Sequence, residues 1–400
     1  MPPFKKYKLG ELGEVITGKT PASKFPQHFG NYIPFITPSD FGTYIKSAES
    51  AERYISKEGV EAHKNKILPE NSVLVTCIGS DMGKVVINKK PCLTNQQINS
   101  IIPNKELIDY NFLYYSIINQ YDLLRSIASD GTTMPIINKT DFEEIEIEAP
   151  DDLPTQTRIA NILSSLDDKI ELNRRTNHTL EQIAQTLFKK YFVDDIDPEN
   201  LPEGWRVASL NEFMDFEGGM QPPANQFISN SEEGYIRLIQ IRDYESDSNI
   251  TYVPIKNNLR FCNKKDVMIA RYGASVARIC FGLDGAYNVA LVKVKPHKPF
   301  YTEFLRTYLK SKDCQEKIIN MSFRSVQAGF NKDDFKSIMI PVPNQDDIFI
   351  GYEKEVSIMI DKILQNREEN KILAKNRDSL LPKLMSGEIE VNAAEKELVN

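Results

Sequence analysis

The sequence has few of the residues that build disulfide, zinc and histidine-based sites. Its 400 residues include five cysteines and four histidines. An odd number of cysteines, none of them spaced as CxxC, argues against a disulfide framework and against a zinc site. No apolar run approaches the roughly 18 residues that a membrane span requires, so we expect neither export nor a membrane segment. These absences favour reduced, buried thiols in a cytoplasmic protein.

Complete catalytic motifs are also missing. Residues 221–224 (QPPA) lack the aromatic residue of an amino-methyltransferase loop, which stacks on an extruded base. Residues 79–85 (GSDMGKV) have a glycine spacing one residue too short for a phosphate-binding loop, and valine follows the lysine. Residues 167–169 (DDK) could belong to a metal-dependent nuclease site, but they lie on a predicted helix, where we expect a solvated face. We therefore predict a protein without catalytic residues or a metal site.

What the chain does contain is a duplication. Residues 138–142 (NKTDF) return as residues 331–335 (NKDDF), and residues 168–170 (DKI) return as residues 361–363, at a constant offset of 193. A constant offset over such a stretch indicates one structural unit present twice. A chain of this length is too long for one core and suits two globular units with connecting elements.

Each repeat has two parts with different patterns. The first part contains short β-rich runs, such as residues 72–78 (SVLVTCI) and 266–270 (DVMIA), together with helical spacing at residues 111–126 and 301–320. The second part has the period of a long helix. The predicted fold class is therefore α+β, with two duplicated α+β domains joined by two long helices that pack as a coiled coil. The predicted boundaries are 1–152 for the first domain, 153–193 for the central helix, 194–204 for a linker rich in Pro, Gly and charge, 205–345 for the second domain, 346–386 for the distal helix and 387–400 for a C-terminal tail.

The predicted helices carry polar residues where a coiled coil usually has apolar ones. Heptads drawn through residues 155–191 and 352–384 place Asn173, Asn177, Asn366 and Asn370 at core positions. Such residues can form a polar layer that fixes helix register at a cost in stability. Alternatively, the helices rotate slightly and the four amides face solvent.

The motifs of the chain, in their order, carry a resemblance to a known family. They are residues 7–12 (YKLGEL), 18–21 (GKTP), 131–142 (GTTMPIINKTDF), 144–150 (EIEIEAP), 153–163 (LPTQTRIANIL) and 380–389 (LLPKLMSGEI). This arrangement closely resembles the specificity subunit of type I restriction-modification systems over almost the whole chain. The second repeat departs from the pattern at residues 344–348 (NQDDI), where the first has residues 153–157 (LPTQT).

The resemblance implies a role in directing chemistry that other subunits perform. The α+β domains would be target-recognition domains at opposite ends of an antiparallel helix pair, each reading one half of a split DNA sequence. The helices would set the spacer and dock two modification subunits, which bring S-adenosylmethionine-dependent adenine methylation. Restriction subunits would add ATP- and Mg-dependent translocation and cleavage. The partners implied are thus double-stranded DNA, modification subunits and restriction subunits, with no cofactor on this chain. The alternatives are a single-chain restriction or methylation enzyme and a coiled-coil scaffold that does not read DNA.

Charge is distributed unevenly along the chain. The net charge is −7 and the pI is about 5.4, whereas DNA-binding domains are usually basic. Between residues 201 and 340, however, 19 Lys and Arg stand against 16 Asp and Glu, a net charge of +3. We expect the following basic residues of this interval to be nearly unopposed: Lys256, Arg260, Lys264, Lys265, Arg271, Arg278, Lys293, Lys295 and Lys298. A surface with a small positive charge suits a DNA-binding protein whose partner subunits make some of the phosphate contacts.

Direct base readers should be polar side chains on loops that can enter the major groove. In the first domain the candidates are Lys19, Thr20, Thr37, Ser39, Ser80, Lys84, Thr132 and Thr133. In the second domain they are Gln221, Gln240, Arg242, Arg271, Tyr272, Arg324, Ser325 and Gln327. Arg271 is the strongest single candidate, because it follows a predicted strand and precedes Gly273, so its side chain should project from a turn.

Overall fold

The structure, a computed structural model, describes residues 3–42, 46–79, 81–128, 136–322 and 329–394, without the side chains of Ile127, Ala128 and Ser322. The chain forms two compact units. Unit 1 comprises Met1–Asn173 and Glu369–Asn400, and unit 2 comprises Arg174–Glu368. Each unit contains an α+β domain and segments of two long helices, so the predicted fold class is confirmed.

Within the described residues of unit 1, the α+β domain contains eleven strands in three sheets. The strands are β1 (Phe4–Lys8), β2 (Gly13–Thr17), β3 (Phe29–Gly30), β4 (Ile33–Ile36), β5 (Ser47–Ala48), β6 (Arg53–Ile55), β7 (Val73–Thr76), β8 (Val85–Asn88), β9 (Leu93–Thr94), β10 (Ile98–Pro103) and β11 (Glu146–Pro150). Their sheet orders are β2-β10-β7-β8-β5, β3-β6-β4-β9 and β1-β11. The helices before the long one are α1 (Leu9–Leu12), α2 (Pro38–Phe41), α3 (Lys57–Ala62), α4 (Tyr110–Asn119), α5 (Tyr121–Ala128) and α6 (Lys139–Glu143).

The α+β domain of unit 2 repeats this plan. Its strands are β12 (Trp205–Ser209), β13 (Met214–Gly218), β14 (Tyr235–Ile239), β15 (Tyr252–Pro254), β16 (Phe261–Cys262), β17 (Met268–Ala270), β18 (Ile279–Cys280), β19 (Gly285–Tyr287), β20 (Leu291–Pro296) and β21 (Met339–Pro343). The sheet orders are β13-β20-β17-β18, β15-β14-β19-β16 and β12-β21. The helices of this domain are α8 (Thr302–Lys310) and α9 (Lys312–Ser322). The long helices are α7 (Leu153–Phe192) and α10 (Asp347–Met385).

Apolar residues of the long helices form part of both cores. In unit 1, Leu163 of α7 and Leu384 of α10 are fully buried in the same cluster as Phe112 of α4. In unit 2, Phe192 of α7 and Tyr352 of α10 are buried in one cluster with aromatic residues of α8. Burying one such side chain contributes about 1.5 to 3 kcal/mol. Each domain is therefore stabilised by two helix segments that lie far apart in the sequence.

The distal helix continues past its proline. Pro382 lies inside α10, which ends at Met385. The backbone N–H of Ser386 donates to the carbonyl of Pro382 at 3.0 Å, and Gly387 has φ +72°. A glycine in this left-handed conformation is a common helix terminator, because a side chain there would be strained. The helix therefore ends three residues after Pro382, which removes one N–H donor from the last turn, and Gly387 follows two residues later.

A buried charge cluster replaces apolar packing at one position of the helix pair in unit 1. Asp167 is 2% exposed and accepts hydrogen bonds from Arg377 Nη1 and from the Tyr115 hydroxyl, both at 2.6 Å. The expectation that residues 167–169 form a solvated face is wrong for Asp167, because its partners come from α10 and α4. Burial, together with the Asp167 carboxylate, raises the pKa of Tyr115 well above its usual range.

Removing the arginine from this cluster should destabilise unit 1. Arg377→Met leaves the carboxylate of Asp167 buried without its counter-ion, so we expect the free energy of unfolding to fall by about 3 kcal/mol or more. Urea denaturation measures the loss. The control is Arg158→Met, which removes an exposed arginine that donates to Asn392 at 2.7 Å and should cost at most about 1 kcal/mol. Equal losses in the two variants would contradict the importance of the buried pair.

Candidate DNA-recognition surfaces

Four loops of unit 1 meet at one edge of its sheets. Strands β2 and β7 both run antiparallel to β10, and their ends pair with its start, Thr17 with Asn99 and Thr76 with Ile98. Strands β4 and β9 are parallel, so their carboxyl ends also lie side by side. Backbone hydrogen bonds connect the loops that follow: Lys19 N–H donates to Thr94 O at 2.8 Å, and Cys77 N–H donates to Gln97 O at 2.8 Å. We call this region the first loop edge, formed by residues 18–20, 37–39, 77–79, 81–84 and 95–97.

Unit 2 builds the same edge with different residues. Strands β13 and β17 run antiparallel to β20, and β14 is parallel to β19. Gly219 N–H donates to Leu291 O at 3.1 Å, and Arg271 N–H donates to Ala290 O at 2.8 Å. The second loop edge is formed by residues 219–221, 240–242, 271–273 and 288–290. Both domains thus direct the loops that carry candidate readers to the same topological position.

A close backbone approach holds each edge together. A Cβ on Gly18 would lie 2.2 Å from the carbonyl oxygen of Asn95, and a Cβ on Gly219 would lie 2.0 Å from that of Asn288. Asn95 and Asn288, which are related by the repeat offset, each accept at Oδ1 a hydrogen bond from the backbone N–H two residues on. Only glycine fits at such a contact, so the two edges share a backbone frame that does not depend on their reading side chains.

The candidates of unit 1 differ in how far their side chains are already engaged. Lys19 is exposed, whereas the Thr20 hydroxyl donates to Gln96 Oε1 at 2.8 Å. Thr37 precedes α2, and its hydroxyl donates to Asp40 Oδ2 at 2.9 Å. These contacts make Thr37 a helix-capping residue as well as a candidate reader.

The other candidates of unit 1 lie on the same loops. Ser39 is exposed, with its hydroxyl 2.8 Å from that of Thr37. Lys84 Nζ is 2.7 Å from Asp81 Oδ1. Ser80, Thr132 and Thr133 lie outside the described residues. Sequence reasoning missed Gln96, an exposed residue of the first loop edge whose neighbour Asn95 belongs to the repeat and could have indicated it.

The candidates of unit 2 occupy equivalent loops. Gln221 is exposed in the loop after β13. Gln240 caps a short 3-10 turn, and its Nε2 donates to Thr251 Oγ1 at 3.2 Å. The Arg242 side chain is 55% exposed, and Arg271 and Tyr272 follow β17. Arg324, Ser325 and Gln327 lie outside the described residues.

The expectation of unopposed positive charge in unit 2 is wrong for most of the residues concerned. Those with a carboxylate oxygen within 4.0 Å are Arg260, Lys264, Lys265, Arg278, Lys293, Lys295 and Lys298. The carboxylates include Glu217, which is approached by three of them, and Asp361 of α10. A charge count along the sequence could not detect these pairs, because the partners lie in other strands and helices.

The asparagines of the helix pair contact each other within each unit. In unit 1, Asn173 Nδ2 donates to Asn370 Oδ1 at 2.9 Å and to Glu369 Oε2 at 2.8 Å. In unit 2, Asn366 Nδ2 donates to Asn177 Oδ1 at 2.8 Å. Asn173 is 3% exposed and Asn366 is 1% exposed. Residues at equivalent positions of the repeat therefore make equivalent hydrogen bonds between facing helix segments.

Among the residues that the structure describes, there is neither a metal-binding cluster nor a membrane-spanning helix. No group of three or more His, Cys, Asp and Glu side chains in residues 3–42, 46–79, 81–128, 136–322 and 329–394 could hold a metal ion. No helix within those ranges is long and apolar enough to cross a membrane.

Comparison with known proteins identifies the domains. The family model described as type I restriction modification DNA specificity domain matches twice, at residues 1–182 and 202–375. The two matches follow the internal duplication and together cover most of the chain.

Individual relatives agree with the family match. The MjaIX specificity subunit of a type I restriction enzyme from Methanocaldococcus jannaschii is 28% identical over 96% of this chain and 93% of its own length. The HindI specificity subunit from Haemophilus influenzae is 36% identical over 36% of this chain and 31% of its own length. A crystal structure of a type I S subunit from M. genitalium has the same fold, with a TM-score of 0.62 and 18% identity over 96% of each chain.

The glycine contact in unit 2 can be tested with two adjacent residues. Gly219→Ala places a methyl group 2.0 Å from a backbone oxygen, whereas a Cβ on Gly218 would meet nothing within 4 Å. We expect Gly219→Ala to lower the free energy of unfolding by about 1 to 3 kcal/mol because the edge must shift, and Gly218→Ala to change it by less than about 0.5 kcal/mol. Thermal denaturation of both variants measures the difference, and similar effects would contradict the proposed close contact.

Proposed function

The chain belongs to the family of type I restriction-modification DNA specificity proteins, and we propose that each of its two domains reads one half of a bipartite DNA sequence. Its role is to give a type I restriction-modification complex its DNA sequence specificity, and the chain itself is non-catalytic. Family membership does not support the alternatives of a single-chain enzyme or of a scaffold without DNA reading.

The repeated loop edge is the observation that carries this proposal. Both edges rest on the same strand pairings and the same glycine contact, but they present different polar side chains. Lys19 and Thr20 in unit 1 correspond in topology to Met220 and Gln221 in unit 2, after Gly18 and Gly219. A shared frame with different side chains suits two readers of two different sequences, because hydrogen-bonding groups at base edges determine specificity.

Other subunits complete the proposed complex. Members of the family act in type I complexes with DNA and further subunits. We propose that two modification subunits dock on α7 and α10 and carry S-adenosylmethionine, and that restriction subunits carry ATP and Mg. The long helices then set the spacer between the half-sites. The proposed location is the cytoplasm, where the DNA is.

Changing one edge at a time should alter one half-site at a time. Lys19→Ala and Arg242→Ala each remove one exposed cation, from the first and the second loop edge respectively. In the reconstituted complex, selection of bound DNA from a random pool should show a change in one half-site for each variant and no change in the other. Loss of a base contact weakens binding by about 1 to 3 kcal/mol.

The matched control is Lys312→Ala, whose side chain is 91% exposed on α9. It should leave both half-sites unchanged. Variants of either edge that altered both half-sites equally, or a wild-type complex that selected no sequence at all, would contradict the assignment of one half-site to each domain.

A further inference from the structure

Arg271 is held in place by neutral groups. Its backbone N–H donates to Ala290 O at 2.8 Å, which fixes the start of the loop after β17. Its Nε donates to the carbonyl oxygen of Phe330 at 3.0 Å, and its guanidinium carbon lies 5.1 Å from the ring centre of Tyr272. A hydrogen bond and an aromatic neighbour restrict the side chain without neutralising its charge.

The aromatic neighbour is itself fixed by a glycine. Tyr272 forms an isolated antiparallel bridge with Gly329, and a Cβ on Gly329 would lie 2.6 Å from two ring carbons of Tyr272. The ring therefore packs directly against the backbone of Gly329, where the side chain of any other residue would clash with it. Gly273, the next residue, has φ +74° and completes the turn from which Arg271 projects.

The lack of a carboxylate partner distinguishes Arg271 from other arginines of unit 2. Arginines with a carboxylate oxygen within 4.0 Å are Arg206, Arg237, Arg242, Arg260, Arg278, Arg306 and Arg367. No carboxylate among the described residues comes within that distance of Arg271, and its two terminal nitrogens have no acceptor there. Because Nε is occupied, the terminal pair forms the donor edge available to a ligand.

We propose that Arg271 recognises a guanine in the major groove of the half-site read by the second domain. This inference rests on the proposed function and adds the identity of one base and the atoms that read it. The two terminal nitrogens of arginine present parallel N–H groups, which match the O6 and N7 acceptors of guanine. Adenine presents N7 beside an amino donor and does not match this pair.

Several features favour a base contact over a phosphate contact. A phosphate contact needs positive charge but little orientation, whereas discrimination between base pairs needs a fixed donor direction. The Phe330 carbonyl and the Tyr272 ring supply that restriction. In unit 1 the positions equivalent to Arg271 and Tyr272 hold Cys77, which is 2% exposed, and Ile78. The first domain therefore cannot read guanine with a side chain at this position.

The test compares wild type and variants in the reconstituted complex. DNA selected by the wild-type complex defines the two half-sites. Arg271→Ala should abolish the preference for guanine at one position of one half-site, with a loss of about 5- to 150-fold in affinity for the selected DNA. Replacing that guanine with 7-deazaguanine, which keeps base pairing but lacks the N7 acceptor, should weaken wild-type binding and leave binding by Arg271→Ala unaffected. Arg206→Ala, which removes an ion-paired arginine of β12, is the charge control and should retain the preference.

A second variant tests the positioning without removing the arginine. Gly329→Ala displaces the Tyr272 ring, so we expect the guanine preference to weaken while the other selected positions stay unchanged. Retention of the full preference in Gly329→Ala would overturn the positioning role of the ring.

The remaining outcomes separate this inference from the proposed function. If Arg271→Ala weakens binding to all sequences equally, the residue contacts a phosphate and the proposed base contact is overturned. Loss of preference at an A·T pair instead of a guanine would also overturn the proposed guanine contact. In both cases the proposed function stands, because the half-sites are still selected. A wild-type complex that selects no sequence would remove the proposed function and this inference together.

Discussion

Pairing of two helix segments that are distant in the sequence is the constraint on which each recognition domain depends. In each unit, one segment of α7 and one segment of α10 bury apolar side chains in the same core as the α+β domain. Asn173 and Asn366 fix the alignment of the paired segments, because a buried amide forms its hydrogen bond only when its partner on the facing segment is in register. The apolar seam thus supplies stability, and the amides restrict the alignment.

Recognition requires that loops vary while their support stays the same. The edge of each domain meets this requirement through backbone contacts, such as those of Gly18 and Gly219 with the two repeat-related asparagines. Side chains on the loops then differ freely, as Cys77 and Arg271 do at equivalent positions. A buried thiol and a preorganised guanidinium can occupy the same place because neither contributes to the strand pairings beneath.

Features encoded by local patterns could be predicted from the sequence, and features that depend on distant contacts could not. Helical periodicity identified α7 and α10, and the constant offset identified the duplication. The buried position of Asp167 could not be predicted, because its partners Tyr115 and Arg377 lie 52 and 210 residues away. The ion pairs of unit 2 could not be predicted for the same reason, since Lys265 pairs with Asp361 across nearly a hundred residues. The candidate readers follow from loop position and residue type, and they stay predictions.

The central claim is that the paired helices, rather than the reading side chains, set the distance between the half-sites. Inserting one heptad after Asn173 and one after Glu368 lengthens both helices and leaves every asparagine contact within its own unit. At 1.5 Å per residue this adds about 10 Å, or roughly three base pairs. DNA selected by the reconstituted variant complex should contain the same two half-sites with a spacer about three base pairs longer. An unchanged spacer in a folded, active variant would contradict the claim.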